Sequence, residues 1–473
     1  MFTDLKPYPE YADSGITWLG QLPAHWHVNR LGQIGTFLKG SGGSREDDMA
    51  AGVPCVRYGD VYKYHNAFVL RAHSFVSEEQ SAGYTRLRRG DLLFALSGES
   101  QAEIGKSAVN LINGRAVCGG DLAIFRANAP IDSRFLGYVA DAYPSVAQKS
   151  RMGRGDIVVH VSAGRLKRLC IGLPSIDEQA EIVKYLGHAN ARIDRAIAAK
   201  RKLISLLGEQ QKALFSRVVT RGLDDTVPLR DSGIPWLGEI PDHWKACRAR
   251  YVFREVDLKS VDGSELALSM SQQLGLVPSN QMARSLTAES MVGGRICEPG
   301  DLVLNRLKAH LGVFAVSRFK GVISPDYTIF RGSRDIDSRY FEIVLRSELM
   351  RPELRTRSKG IVEGFWRLYT DDFNDIGLPF PPLTEQHEIV DALKSQTSGM
   401  QRMTARTSLE IDLLREFRAR LTADVVTGQL DVRQAAACLP ELDYPTDFVI
   451  DVVEPDDVDL DAEAADYLKG VDA

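Results

Sequence analysis

Residues 173–224 read LPSIDEQAEIVKYLGHANARIDRAIAAKRKLISLLGEQQKALFSRVVTRGLD, and residues 380–431 read FPPLTEQHEIVDALKSQTSGMQRMTARTSLEIDLLREFRARLTADVVTGQLD. With a shift of 207 positions the second repeats the first without a gap over 52 residues. Glu178-Gln179 falls on Glu385-Gln386, and Glu181-Ile182-Val183 on Glu388-Ile389-Val390. Leu206-Leu207 falls on Leu413-Leu414, and Val218-Val219-Thr220 on Val425-Val426-Thr427. A repeat at fixed offset signals a duplicated architecture and organises the reading of everything else.

Each copy predicts one long helix. Apolar residues recur at Ile182, Leu186, Ala189, Ile193, Ile197, Ile204, Leu207, Leu214 and Val218. In the second copy they recur at Ile389, Leu393, Met400, Met403, Ile411, Leu414, Leu421 and Val425. Steps of three, four and seven set one apolar stripe on a helix. No proline follows the first turn of either copy, so nothing forces a break. Ser175 and Glu178 have the spacing of a capping box. Gly222 and Gly428 stand where the helices would stop. About 43 residues make a rod of roughly 65 Å, too long for one small domain. A narrow stripe on two such rods predicts that they pack on each other as a coiled coil. Two ordinary core helices would leave the length and the repetition unexplained.

The remaining composition bounds the class. A chain of 473 residues calls for two or more domains. Its 44% hydrophobic and 26% charged content is that of a folded soluble protein. No apolar run approaches a membrane span. The start, MFTDLKPYPEYADSG, has neither a basic nor an apolar leader region, so secretion is not expected. Cys55, Cys118, Cys170, Cys247, Cys297 and Cys438 are scattered with no CxxC pair. That speaks against a zinc site or a disulfide framework and fits a reducing cytoplasm. The net charge of −5 is unevenly spread: residues 438–473 carry twelve carboxylates against Lys469 alone, a balance of −11, and leave +6 on residues 1–437. A mildly basic body with an acidic tail is compatible with DNA binding.

Outside the rods the repeat continues as landmarks. Asp13-Ser-Gly-Ile-Thr-Trp-Leu-Gly-Gln-Leu-Pro-Ala-His-Trp26 recurs as Asp231-Ser-Gly-Ile-Pro-Trp-Leu-Gly-Glu-Ile-Pro-Asp-His-Trp244, with ten of fourteen positions identical. Its glycines, prolines and aspartate predict loop and turn, with Trp18, Leu19 and Trp26 buried against the body. His25 and His27 suggest a metal, but His27 aligns with Lys245, so a shared metal site fails. Val53–Tyr58, Asp91–Leu96 and Leu122–Arg126 predict strands; Ser133–Tyr143 and Ser145–Gly153 predict helix or turn. Gly90-Asp91-Leu92 matches Gly300-Asp301-Leu302, and Ile124-Phe125-Arg126 matches Ile329-Phe330-Arg331. Ile131-Asp-Ser-Arg134 matches Ile336-Asp-Ser-Arg339, and Ile171-Gly-Leu-Pro174 matches Ile376-Gly-Leu-Pro379. Between landmarks the halves hardly agree. A duplicated frame holding two different reading surfaces accounts for this; drift after duplication is the plainer alternative. The division expected is a globular domain over 1–174, a helix over 175–222, a second globular domain over 223–381, a second helix over 382–430, and an acidic tail over 431–473.

Two halves, each built as DSGIxWLGxxPxHW, an α/β unit and a PxxEQxxIVxxL helix ending near VVTxxLD, resemble the specificity subunit of type I restriction–modification systems. The resemblance spans residues 8 to about 433. It implies two α/β (α+β) target recognition domains in a tandem pseudo-twofold repeat, separated by two long antiparallel coiled-coil helices. Each domain would read one half of a bipartite, asymmetric sequence in double-stranded DNA. It implies a chain with no catalytic activity and no cofactor of its own, working in the cytoplasm and away from membranes. The partners implied are two copies of an adenine N6-methyltransferase (modification) subunit, which uses S-adenosylmethionine, and a restriction/translocase subunit using ATP and Mg²⁺.

DNA contacts need cations and small polar groups on loops for phosphates, and Arg, Lys, Asn, Gln or Ser at groove edges for bases. In the first domain the candidates are Lys39, Ser41, Ser44 and Arg45 of a glycine-rich loop, Arg57, Tyr58, Lys63, Tyr64 and His65 of a cation–aromatic stretch, and Arg151, Arg154 and His160. In the second they are Ser271, Gln272 and Gln273, then Asn305, Arg306, Lys308 and His310, then Arg355, Arg357, Lys359 and Arg367, with Trp366 beside them. Candidates for the spacer and for partner binding are Glu178, Gln179, Ile182, Leu186, Ile193, Leu207 and Leu214, and Glu385, Gln386, Ile389, Leu393, Met400, Ile411, Leu414 and Leu421.

Three other readings compete. Ser100-Gln-Ala-Glu-Ile-Gly-Lys-Ser107 imitates a phosphate loop but lacks its first glycine. Asp91 and Asp301 could hold Mg²⁺, although Gly-Asp before an apolar run is more often a turn. A non-catalytic coiled-coil scaffold that bridges proteins and reads no DNA would show binding insensitive to salt.

Overall fold

The computed structural model describes residues 5–43, 45–155, 158–271, 274–281, 291–360 and 366–441. It divides into two compact units, residues 1–200 with 409–473, and residues 201–408. Both seams fall inside a rod. The first rod is a helix over Ile176–Arg221 (46 residues), the second over Leu383–Val426 (44 residues). The expected architecture of two α/β domains in tandem repeat with two long helices is the one the chain adopts.

In the first unit, the start of the first rod and the end of the second run antiparallel. Asp194 pairs with Arg418 at 2.7 Å and Lys200 with Glu410 at 2.5 Å, so one number rises as the other falls. Ile182, Leu186, Leu421 and Val425 share the core of the first domain with Phe94, Phe125 and Phe135. In the second unit the remaining rod halves do the same: Val218 and Val219 pack with Ile389 and Leu393 against Trp244, Phe330 and Phe341. The stripe departs from expectation at Met403, which is 50% exposed. Thr407, 3% exposed, takes the inward place, because steps of four, three and four from Met400 through 404 and 407 to Ile411 keep to one helix face. Gly222 (φ +73°) and Gly428 (φ +70°) end the rods in the left-handed conformation that glycine adopts without a Cβ clash.

The first domain is built on a five-stranded sheet in the order Gly35–Lys39, Leu122–Ala127, Leu92–Ala95, Ser107–Asn110, Ala67–Val69, beside a four-stranded one. The four residues of Leu92–Ala95 are all buried, as suits a central strand covered on both faces. The second domain repeats the first four positions as Phe253–Val256, Tyr327–Gly332, Leu302–Asn305, Phe314–Val316. The helices Ser133–Ala140 and Tyr143–Met152 have counterparts in Ser338–Arg346 and Arg351–Arg357. The strand expected over 53–58 stops at Val56. Tyr58–Lys63 is a helix instead, started by the Asp60 carboxylate, which accepts from the Arg57 N–H at 3.2 Å.

The DSGIxWLG stretches are tight hairpins, with strands Tyr11–Asp13 and Gln21–Pro23 in the first half and Leu229–Asp231 and Glu239–Pro241 in the second. Asp13 Oδ1 accepts from the Gly15 N–H at 3.0 Å and Asp231 Oδ1 from the Gly233 N–H at 2.9 Å, which explains the paired Asp and Gly.

Candidate nucleic-acid interface

The landmarks that the halves share meet in two clasps. Glu178 accepts from the Trp26 indole N–H at 3.1 Å and lies 2.9 Å from His25 Nε2. Glu385 does the same with Trp244 at 3.0 Å and His243 at 2.8 Å. Gln179 accepts from the Asp132 N–H at 2.9 Å and donates to the Pro174 carbonyl; Gln386 accepts from the Asp337 N–H at 2.8 Å and donates to the Pro381 carbonyl. The Glu-Gln pair at each rod start therefore ties the rod to the hairpin and to the Ile-Asp-Ser-Arg turn. Ser175 Oγ accepts from the Glu178 N–H at 3.3 Å, but the Glu178 carboxylate turns to the indole, so only half of a capping box forms.

Tyr8 and Tyr11 escape the sequence reading because they have no counterpart in the second half. Tyr8 donates to Glu178 at 2.6 Å, and Tyr11 to the Gly428 carbonyl at 3.0 Å. Burial, then the Glu178 carboxylate, raise the Tyr8 phenol well above its ordinary value.

The Gly-Asp landmarks are structural as well. Asp91 takes both arms of Arg126 at 2.7–2.8 Å, and Asp301 those of Arg331 at 2.7–2.8 Å. Each carboxylate also caps its own turn, accepting from Arg88 N–H or Glu298 N–H. The phosphate-loop imitation is likewise engaged internally: Ser107 N and Oγ donate to Asp141, which Lys106 approaches at 3.6 Å and the buried Lys149 contacts. Burial pushes the Cys55 and Cys118 thiols up to about 12, far from a reactive thiolate. Among the described residues no group of three or more His, Cys, Asp or Glu could hold a metal, and no helix is long and apolar enough to cross a membrane.

The first-domain candidates separate into two kinds. Arg57 is 6% exposed and donates to Asp48 at 2.6–2.8 Å, to the Gly43 carbonyl and to Tyr84, so it braces the glycine-rich loop from within. His65 is 5% exposed, and Tyr64 stacks on His73 at 4.1 Å. Lys39, Ser41, Arg45, Tyr58, Lys63, Arg151, Arg154 and His160 are exposed. Ser41 Oγ lies 2.9 Å from Thr85 Oγ1. Lys39 and His160 line one hollow together with Ser97, Gly120 and Ser162. Arg151 lies over the Trp18 ring at 4.2 Å. Ser44, Gln272, Gln273 and the tail from residue 442 lie outside the described residues.

In the second domain the fold joins two clusters that are far apart in sequence. The helix Arg351–Arg357 packs on the 3-10 helix Arg306–Leu311. Asn305 is buried and caps that 3-10 helix, accepting from the Leu307 and Lys308 N–H groups. Arg306 donates to the Pro325 and Asp326 carbonyls, Arg357 pairs with Glu353 at 2.6 Å, and Lys359 with Asp372 at 2.6 Å. Arg367 approaches Asp326 at 3.8 Å. Ser271 and Lys308 are half-buried. Arg355 is exposed and lies 3.3 Å over the Trp366 ring, and His310 meets that ring edge-on at 5.3 Å. The loops that follow the two equivalent helices are docked alike. A backbone bridge joins Arg154 to His160 and Lys359 to Arg367; Val161 N–H donates to the Leu96 carbonyl as Leu368 N–H does to that of Arg306.

Among the rod candidates, Ile182, Leu186, Ile193, Ile389, Leu393, Ile411 and Leu421 are buried, with Glu178, Gln179 and Gln386. Leu207, Leu214, Glu385, Met400 and Leu414 are half-buried.

No family model matches the chain. It is 22% identical over 398 residues to the putative type I restriction enzyme MjaX specificity subunit of Methanocaldococcus jannaschii, covering 80% of this chain and 88% of that one. It is 20% identical over 471 residues to the EcoKI specificity subunit of Escherichia coli K12, covering 89% and 96%. Among solved structures, a chain from a study of complex assembly and conformational transition in the type I R-M system shares the fold, with TM-score 0.64 at 15% identity, covering 86% and 99%. The frame of clasps and rods thus sits in a chain that two curated type I restriction enzyme specificity subunits match along four-fifths or more of its length.

Proposed function

We propose that this chain is the non-catalytic DNA-reading subunit of a type I restriction–modification assembly. Residues 1–174 and 223–381 each read one half of a bipartite, asymmetric site in double-stranded DNA, and the helices over 175–222 and 382–430 set the gap between the halves. The observation that carries this is the contrast within the repeat. Each clasp joins a rod glutamate to the same indole and imidazole, whereas the exposed cations of the two domains differ in identity and position. Equivalent frames offer equivalent docking surfaces to two copies of one partner. Unlike reading surfaces make the target asymmetric. In this reading two adenine methyltransferase subunits supply S-adenosylmethionine chemistry, a restriction subunit supplies ATP- and Mg²⁺-dependent chemistry, and the assembly works in the cytoplasm.

The test is a map of N6-methyladenine in cells holding this chain and its methyltransferase partner, with and without this chain. A split asymmetric motif with one methylated adenine per strand, present only with this chain, is expected. No motif, or a short palindrome that survives its removal, would overturn the proposal. Binding should also weaken steeply as salt rises, through counterion release.

A further inference from the structure

Of the second-domain cations, most have their donors engaged. Arg306 holds two carbonyls, Arg357 holds Glu353, Lys359 holds Asp372, and Arg367 faces Asp326. Arg355 differs. It is exposed, and its guanidinium makes no hydrogen bond or ion pair among the described residues. Instead it lies flat on Trp366, 3.3 Å from the ring centroid, and His310 holds the same indole edge-on (interplanar angle 88°). Stacking fixes the plane of the fork and leaves its N–H groups pointing outward in that plane. A fork fixed in this way loses less freedom on binding, and the geometry it offers is that of two parallel acceptors. Around it stand Arg306 and Lys308 on the neighbouring 3-10 helix and Lys359 and Arg367 on the bridged loop, cations that suit a phosphate backbone. Arg151 in the first domain also stacks, but on Trp18, a tryptophan of the shared frame whose counterpart is Trp236. Trp366 belongs to the part of the repeat where the halves disagree.

We propose that Arg355, held flat on Trp366, reads a guanine in the half-site of the second domain, donating in pairs to its O6 and N7. The pairing follows from the fork, since guanine is the base whose groove edge presents two adjacent acceptors. The inference rests on the DNA-reading function proposed above, and its test separates the two.

The full chain, assembled with its methyltransferase partner, is challenged with a randomised duplex library. It is then challenged with the selected duplex carrying 7-deazaguanine, which lacks N7, at each guanine of that half-site. For the wild type we expect one guanine at which 7-deaza substitution or replacement by adenine weakens binding by about 10- to 100-fold. Arg355→Ala should flatten preference at that position alone and become indifferent to the 7-deaza base. Arg355→Lys should keep most of the overall affinity and lose the same preference. Trp366→Ala, which frees the fork, should lose part of it. The half-site of the first domain should be unchanged in all three, which also shows that the variants are folded. Uniform weakening on all sequences with base preference intact would make Arg355 a phosphate contact and overturn the inference, as would unchanged selectivity. A wild-type assembly that selects no sequence would overturn the DNA-reading function itself.

Discussion

The clasp at Glu178 and the clasp at Glu385 hold the same imidazole and the same indole, yet they are not equally closed. Glu178 has a third donor in Tyr8 and a side chain 5% exposed, whereas Glu385 has two donors and is 21% exposed. The difference follows from chain connectivity. The first rod ends at Gly222 and runs on through the peptide chain into the hairpin that carries Trp244. The second rod ends at Gly428 against Pro23 and Trp26, which belong to a hairpin made more than 400 residues earlier. There is no peptide bond at that junction. Tyr8, Tyr11, the Lys6–Asp431 bridge, Gln429 on the Gln21 carbonyl and Arg433 over the Tyr8 ring hold it in place of one. Hydrogen bonds at the first clasp do what covalent continuity does at the second.

The largest effect should come from removing the carboxylates. Glu178→Ala leaves the Tyr8 hydroxyl and the Trp26 N–H buried without an acceptor and should cost about 3–4 kcal/mol, against about 1–2 for Glu385→Ala. Urea unfolding of the two variants measures both, and equal losses would break the comparison. Acid should separate the units next. Burial pushes His65 in the first domain down from its ordinary 6.5 to about 4. The unfolded chain takes up that proton below 6.5 and the folded one only near 4, so stability present above 6.5 is lost as the pH falls through this window. The loss is about 3 kcal/mol. It should appear in the first unit's unfolding transition and be relieved in His65→Phe. Third, Gly428→Ala adds a Cβ against Pro23 at positive φ and should cost about 2–3 kcal/mol. Gly222→Ala meets only the movable end of Glu385 and the edge of Trp244 and should cost about 1–2 kcal/mol by thermal melting. Tyr8→Phe should cost less still, about 1 kcal/mol in the same melts. Thr226, at the equivalent place, donates to Asp224 instead, so Thr226→Ala should leave the second clasp unchanged.

The frame was legible in the sequence because periodicity and repetition report on it directly. A stripe at steps of three and four is a helix wherever it packs, and Glu-Gln, His-Trp and Ile-Asp-Ser-Arg recur because they touch one another. What they do was less legible. Glu178 reads as a capping residue from its spacing to Ser175, and only the fold brings Trp26 to it. The cations show the limit more sharply. Arg57 stands among aromatics as a DNA contact might, but Asp48 nine residues earlier draws it inward. Arg355 looks no different from Arg357 in sequence; about half a turn of helix sets the first on an indole and the second on Glu353. Burial of a loop cation depends on contacts distant along the chain, which local pattern does not carry. Met403 failed for a local reason, since Thr407 lies on the helix face that Met400 and Ile411 share and Met403 does not.

The seams inside the rods also fix an order of events during synthesis. Residues 201–408 are continuous, so that unit has all its parts as soon as residue 408 clears the ribosome. The other unit needs residues 409–441 before Leu421 and Val425 can enter its core and before Gly428 can meet Tyr11. The domain translated first is therefore the last to be completed. From the making of Leu186 until Leu421 and Val425 follow, the nascent chain carries an open apolar face around Ile182 and Leu186 that these later helix turns cover.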